Sequence, residues 1–252
     1  MHEPARIGYA QARVQARLGA RPSEAFWREL EAGRELAHLV DWVRTSALAA
    51  AVTAVPADVD IHALESRLRR HWAATCEEIA GWYPQSARES MRWLRWLPLL
   101  PALASLSRGK PIPPWLRQDP ALGTIVSAEP DERAGQLRER GLAPLAQAFA
   151  ESADLAAAWH RHWRDSWPAA SGTALERLDR ALARLQPGAE AGRGPGFDAL
   201  VDATGAEARR LFRRNVCTPT AGLCLLVLLW LDQLRLRAAL ATARLFGAGE
   251  AT

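Results

Sequence analysis

The sequence predicts an all-α protein, a compact multi-helix bundle. Apolar residues recur every three or four positions in nearly every segment, while the alternation expected of strands is almost absent. The chain has 252 residues, 49% of them hydrophobic and 24% charged. That is enough to bury a core without disulfides or metals, and it argues against wholesale disorder. The clear breaks are the stretches Gly109–Pro114 and Gly188–Gly196, rich in proline and glycine.

The elements follow in order. Met1–Arg6 leads into a charged amphipathic stretch and carries no apolar signal core. Leu36, Leu39, Val40, Val43, Ala47 and Ala50 form a stripe that should end near Pro56. Ile61, Leu64, Leu68, Trp72, Cys76, Ile79 and Tyr83 form the stripe of a long helix, with Asp58 or Asp60 as its N-cap and Pro84 as its stop. Leu155, Trp159, Trp163 and Trp167 are spaced by four along one face. Leu175, Leu178, Leu182 and Leu185 make another stripe, which starts after Ser171 or Thr173 and stops at Pro187-Gly188.

Phe197, Leu200, Val201, Ala208, Leu211 and Phe212 continue the pattern, and a last long helix runs from about Thr220 to Phe246, closed by Gly247. Its run Ala221–Leu231, interrupted only by Gly222, falls well short of the ~20 residues of a membrane span. It is expected to be a buried core helix. The breaks divide one helical domain, residues 1–252, into blocks of about 1–108, 115–187 and 197–247.

The net charge is +4 and the pI about 9.5. Lys110 is the only lysine, so a small arginine excess sets that pI. The arginines are interleaved with acids, as in Glu65-Ser-Arg67, which is the pattern of solvated helix faces. Cys76, Cys217 and Cys224 are an odd set without a Cys-x-x-Cys, which points away from a disulfide framework or zinc site and toward a reducing compartment. Cys217 and Cys224 are seven apart and should share one buried helix face.

Tryptophan is the unusual residue, at eleven. Helical spacing aims most of them at neighbouring helices, but tryptophan with arginine also marks partner surfaces. Two clusters are therefore partner-interface candidates. In the first, Arg88, Arg92 and Arg95 share a helical face beside Trp93 and Trp96. The second is the densest basic group, Arg209, Arg210, Arg213 and Arg214.

Chemistry finds little foothold. His160 and His162 point about 200° apart on a helix and cannot clasp one metal, and His-Glu-x-x-His is absent. His71 reads as a polar helix-face residue. Neither phosphate-cradling glycine motif occurs, nor Gly-x-Ser-x-Gly, nor a magnesium-holding Asp-Asp-x-x-Asp. Asp198 and Asp202 are an i,i+4 pair. The expectation is a non-catalytic chain with no catalytic residue, cofactor, metal, small-molecule substrate or nucleic-acid partner. Glu65 and Glu176 are the acids an all-α enzyme would call on. Each reads instead as pairing with an arginine on its own helix.

Two regions look alike. Ile61–Arg70 resembles Ala174–Ala183, and each is followed by an amphipathic segment and then a strongly apolar one, Trp93–Gly109 and Leu229–Gly247. This weak pseudo-repeat resembles the C subunit of V-type and A-type ATPases, called subunit d in eukaryotes. Tyr9-Ala-Gln-Ala-Arg-Val-Gln-Ala-Arg17 looks like that family's opening helix, Phe26–Leu30 and Glu35–Val43 like its short helices, and Ile61–Arg70 like its glutamate-containing helix. Asp232-Gln-Leu-Arg-Leu-Arg237 looks like a degraded Asp-x-x-Asn-Leu-Arg pattern, while Leu99-Leu-Pro-Ala stands where the first copy would carry its Asn-Leu-Arg. The resemblance implies a non-catalytic central-stalk subunit that links the axle to the membrane ring. Its partners would be those subunits, at the cytoplasmic face of the membrane and through the complex. The competing expectation is a generic soluble all-α adaptor or regulator.

Overall fold

The computed structural model describes residues 3–53, 55–56, 59–168, 172–185 and 196–246. Among them every regular element is helical, as the periodicity predicts. In chain order these are α1 (Glu3–Gly19), α2 (Glu24–Ala32), α3 (Leu36–Arg44), α4 (Ile61–Trp82), α5 (Gln85–Trp93), α6 (Leu100–Ser107) and α7 (Pro114–Arg117). Then come α8 (Gly123–Ser127), α9 (Arg133–Leu137), α10 (Ala143–Ala150), α11 (Leu155–Asp165), α12 (Gly172–Ala183), α13 (Phe197–Arg214) and α14 (Pro219–Phe246). Asp58, Ser171, Pro187, Gly188 and Gly247, and all of the glycine-rich connector before Gly196, lie outside the described residues.

The chain groups into two compact units, Met1–Arg95 with Gly205–Thr252, and Trp96–Thr204. These boundaries lie elsewhere than the proline- and glycine-rich loops. One boundary lies in the 3-10 stretch Leu94–Leu99 and the other inside α13.

The first unit is built around α14. Ala221 to Leu228 are all buried, and α14 packs on α1, α3, α4 and α5. α4 begins where expected, because the Asp60 carboxylate accepts from the amides of His62 and Ala63 (2.8 and 3.0 Å). Its predicted stripe is buried from Leu64 through Ile79. Trp72 sits within that stripe and donates its indole N–H to the Leu94 carbonyl (2.9 Å). Leu64 of that stripe also belongs to an apolar cluster with Trp27, Leu39, Val43 and Leu240, which joins α2, α3, α4 and α14.

α3 is shorter than its stripe suggests. It ends at Arg44 because the Thr45 and Ser46 hydroxyls donate to the Trp42 and Val43 carbonyls (both 2.7 Å), ending the helical ladder. Ala50 falls in a separate 3-10 turn, Ala49–Val52, and Ala47 lies between the two.

Gly222 shows why the apolar run of α14 is interrupted. A Cβ at this position would stand 2.6 and 2.7 Å from the buried Tyr83 ring and 2.8 Å from Met91 Cε. Gly222→Ala is expected to destabilise by about 1–3 kcal/mol through overpacking, which exceeds the ~1 kcal/mol helix-propensity gain. A Cβ on Gly81, in α4, meets nothing within 4 Å, so Gly81→Ala should stabilise by about 0.5–1 kcal/mol. Opposite shifts of the urea midpoint in the two variants would check this contrast.

In the second unit, α6 packs against α10 and α11, and α11 against α12. Gly109 (φ +65°) ends the α6 segment, and Lys110 N–H closes on the Ser105 carbonyl (3.1 Å). The backbone from Gly109 to Pro113 then leaves the helix, as its prolines require. The indoles of Trp159, Trp163 and Trp167 form a row with successive ring centroids 5.5 Å apart.

The two copies of the pseudo-repeat fold differently in their last segments. Leu229–Phe246 lies within one continuous helix. Trp93–Gly109 breaks into the end of α5, the 3-10 stretch holding Pro98, and α6, which carries Pro101 in its first turn. No described helix is long and apolar enough to cross a membrane.

Candidate functional site

The candidate residues are set by how α5 ends. Arg88 and Arg92 lie one turn apart on α5, half-exposed. The helix stops at Trp93, so Arg95 and Trp96 fall in the following 3-10 stretch and leave the predicted common face. Trp93 and Trp96 are 5% and 8% exposed, which makes them packing residues rather than a presented surface. None of the eleven tryptophans is exposed. Arg88 donates to the Tyr83 carbonyl (2.9 Å), and Arg92 clasps both oxygens of Glu77, with Nε at 2.8 Å. That hydrogen-bonded guanidinium holds the Glu77 carboxyl below its usual range. The arginines of α5 thus fix its own fold, while their half-exposed faces stay available.

The second cluster remains at the surface. Arg209, Arg210, Arg213 and Arg214 are all exposed on the C-terminal half of α13, and Arg210 pairs with Glu207 one turn back. Exposed Val216 follows directly. This is a basic helix end with an apolar edge.

Cys217 departs from expectation. It lies outside α14 at φ +58°, exposed, with its N–H donating to Gln11 Oε1 (2.7 Å). Cys76 and Cys224 are buried. Burial pushes the Cys76 thiol up and the Cys224 thiol to about 12. A maleimide titration of the native protein should therefore label one thiol quickly, at Cys217, and three only after denaturation.

The buried charges are the feature that sequence reasoning missed. In the first unit, Arg21 clasps Asp232 through Nε and Nη2, at 2.6 and 2.7 Å, and the carboxylate is 2% exposed. Burial raises the Asp232 pKa more than Arg21 lowers it. Next to it, Gln233 donates to the Leu68 carbonyl (2.6 Å). Arg235 binds Glu31 (2.8 Å) and Glu24 (3.1 Å) and lies over the Trp27 ring at 4.8 Å. Glu65 meets Arg69 on its own helix (3.6 Å), as expected, and also Arg237 of α14 (2.6 Å). Glu176 differs: Arg180 donates to its backbone carbonyl (3.3 Å), and its side chain is exposed.

In the second unit, buried Asp179 of α12 receives His160 Nδ1 on one oxygen and Arg164 (2.9 Å) on the other. This carboxylate, bracketed by two α11 side chains, clamps α11 to α12. The only sequence signal was the i,i+4 spacing of His160 and Arg164. Its meaning depended on Asp179 arriving from another helix.

Two cavities accompany these clusters. In the first unit a cavity of about 20 Å³, room for roughly one water, is lined by Arg17, Arg21, His71, Thr75, Asp232 and Gln233 beside apolar side chains. In the second an open cleft of about 730 Å³ carries Lys110, Arg117, Asp131 and Arg133 around Leu106 and Ile112. Among the described residues no cluster of three or more His, Cys, Asp or Glu could hold a metal ion.

No family model, no curated protein and no solved structure matches this chain.

Proposed function

We propose that the chain is a non-catalytic coupling subunit of a V-type or A-type rotary ATPase, linking the central axle to the membrane ring. The observation that supports this reading is where the segments resembling that family come together. Tyr9–Arg17, Phe26–Leu30, Glu35–Val43, Ile61–Arg70 and Asp232–Arg237 all fall in the first unit. Ion pairs join them there or through neighbouring residues. The pair Glu65–Arg237 links two of these segments directly, and Arg21–Asp232 and Arg235–Glu31 bring the turn after α1 and the end of α2 onto α14.

A torque-bearing part needs rigid close packing, and side chains such as Trp27, Trp72 and Ile79 are fully buried. It also needs charged outer faces to meet its partners. Arg209, Arg210, Arg213 and Arg214 offer one such face, with the half-exposed Arg88 and Arg92 as a second, smaller group. The test is an affinity pull-down from mildly solubilised native membranes in which the intact ATPase is shown to be present. Recovery of axle and ring subunits supports the proposal, and their absence overturns it.

A further inference from the structure

The open cleft of the second unit collects more positive charge than negative. Its charged lining is Lys110, Arg117 and Arg133 against the one acid Asp131, an excess of two positive charges. The side chains of Lys110 and Arg117 are exposed and make no hydrogen bond or ion pair among the described residues. Arg133 is half-exposed. Its Nε donates to the Ala128 carbonyl (3.2 Å), which anchors the guanidinium and leaves its two terminal nitrogens without a partner among those residues. The chain's only lysine is thus one of three cations brought from separate elements, the loop after α6, α7 and α9.

Local bonds fix the frame of the cleft. Gly109 at φ +65° and the bond from Lys110 N–H to the Ser105 carbonyl (3.1 Å) set the start of the loop, which Pro111 then stiffens. The Ser152 hydroxyl donates to the Ser107 carbonyl (2.6 Å) and ties the end of α6 to the turn after α10. Buried Leu106 and Phe149, with half-buried Ile112, give the lining an apolar part. The volume of about 730 Å³ falls within the ~300–1,000 Å³ of small-molecule sites.

We propose that this cleft binds a small phosphate monoester with an apolar body. Such an ester carries about −1.5 to −2 charge at pH 7 and three acceptor oxygens, which matches an excess of two positive charges spread over three cationic donors. A single carboxylate brings one charge and two oxygens and leaves part of that excess unmet. The two arginine forks suit phosphate oxygens, and Lys110 adds a point charge. The body of the ester lies along Leu106, Ile112 and Phe149. The inference stands on the second unit alone and is independent of the coupling reading.

The test follows the lysine by NMR in the full-length protein after reductive methylation with labelled methyl groups, which keeps its charge. The single lysine signal is assigned by its loss in Lys110→Gln. The probe is phenyl phosphate at matched ionic strength, with benzenesulfonate, inorganic phosphate and phenol as controls. Phenyl phosphate should shift the signal saturably and bind more tightly than each control. Arg117→Gln and Arg133→Gln should each weaken its binding by about three- to tenfold, the scale of one charged contact in an open site. Asp131→Asn should instead tighten it by roughly twofold or more, a gain that a damaged fold would not give. Absence of a saturable shift overturns the proposal. So does any control that binds as tightly as phenyl phosphate, or an affinity unchanged in both arginine variants.

Discussion

Asp232→Ala is expected to destabilise the first unit by about 3–5 kcal/mol, because it strands the Arg21 guanidinium in a buried setting. The geometry is two-pronged and the carboxylate is almost wholly desolvated, so its removal leaves a largely buried guanidinium without its counter-charge. Removing both charges should behave differently. Arg21→Met with Asp232→Leu is expected to come within about 1 kcal/mol of the parent or to exceed it, since apolar packing avoids two desolvation penalties.

The raised pKa of Asp232 points the same way: burial costs its charged form more than Arg21 returns. Its pKa is therefore higher in the folded chain than in the unfolded one. The parent should lose stability as pH rises from the ordinary carboxylate value of 3.8 through that raised value, and then level off. The double variant should lack that segment of the profile. Labelling of Cys76 and Cys224 in urea reports opening of this unit, because both thiols are buried within it. A single variant as stable as the parent, or a double variant as unstable as the single, would contradict this account.

Trp163→Ala should destabilise the second unit by about 3–5 kcal/mol, a large part of the 5–15 kcal/mol typical of a folded domain. Trp163 is fully buried and stands between Trp159 and Trp167, tilted against the first and edge-on to the second. Truncation leaves a cavity and removes two ring contacts worth about 0.5–1.5 kcal/mol each beyond burial. Trp163→Phe keeps an aromatic in the row and should cost clearly less. Amide hydrogen exchange along Leu155–Asp165 is the readout. Unchanged protection in the alanine variant would show that the row does not hold α11 in place.

The sequence by itself determined the helices and their buried faces. The stripe from Leu64 to Ile79, the apolar run of α14 and the indole spacing of α11 are local periodicities, and a helix turns them directly into one inward face. Asp60 as an N-cap and the loop from Gly109 to Pro113 were legible for the same reason, since capping and proline chemistry act within a few residues.

Only the tertiary structure decided which side chains meet. Arg21 and Asp232 are 211 positions apart, and His160 reaches Asp179 across a helix boundary, so no spacing rule could pair them. The end of α5 at Trp93 took Arg95 and Trp96 off the face that their numbering suggested and buried both indoles of that cluster. Cys217 left the helix that its spacing to Cys224 implied. The two units likewise divide inside helical stretches, because compactness follows contacts between distant segments. Periodicity records which face turns inward; what that face meets depends on long-range packing that a local pattern does not encode.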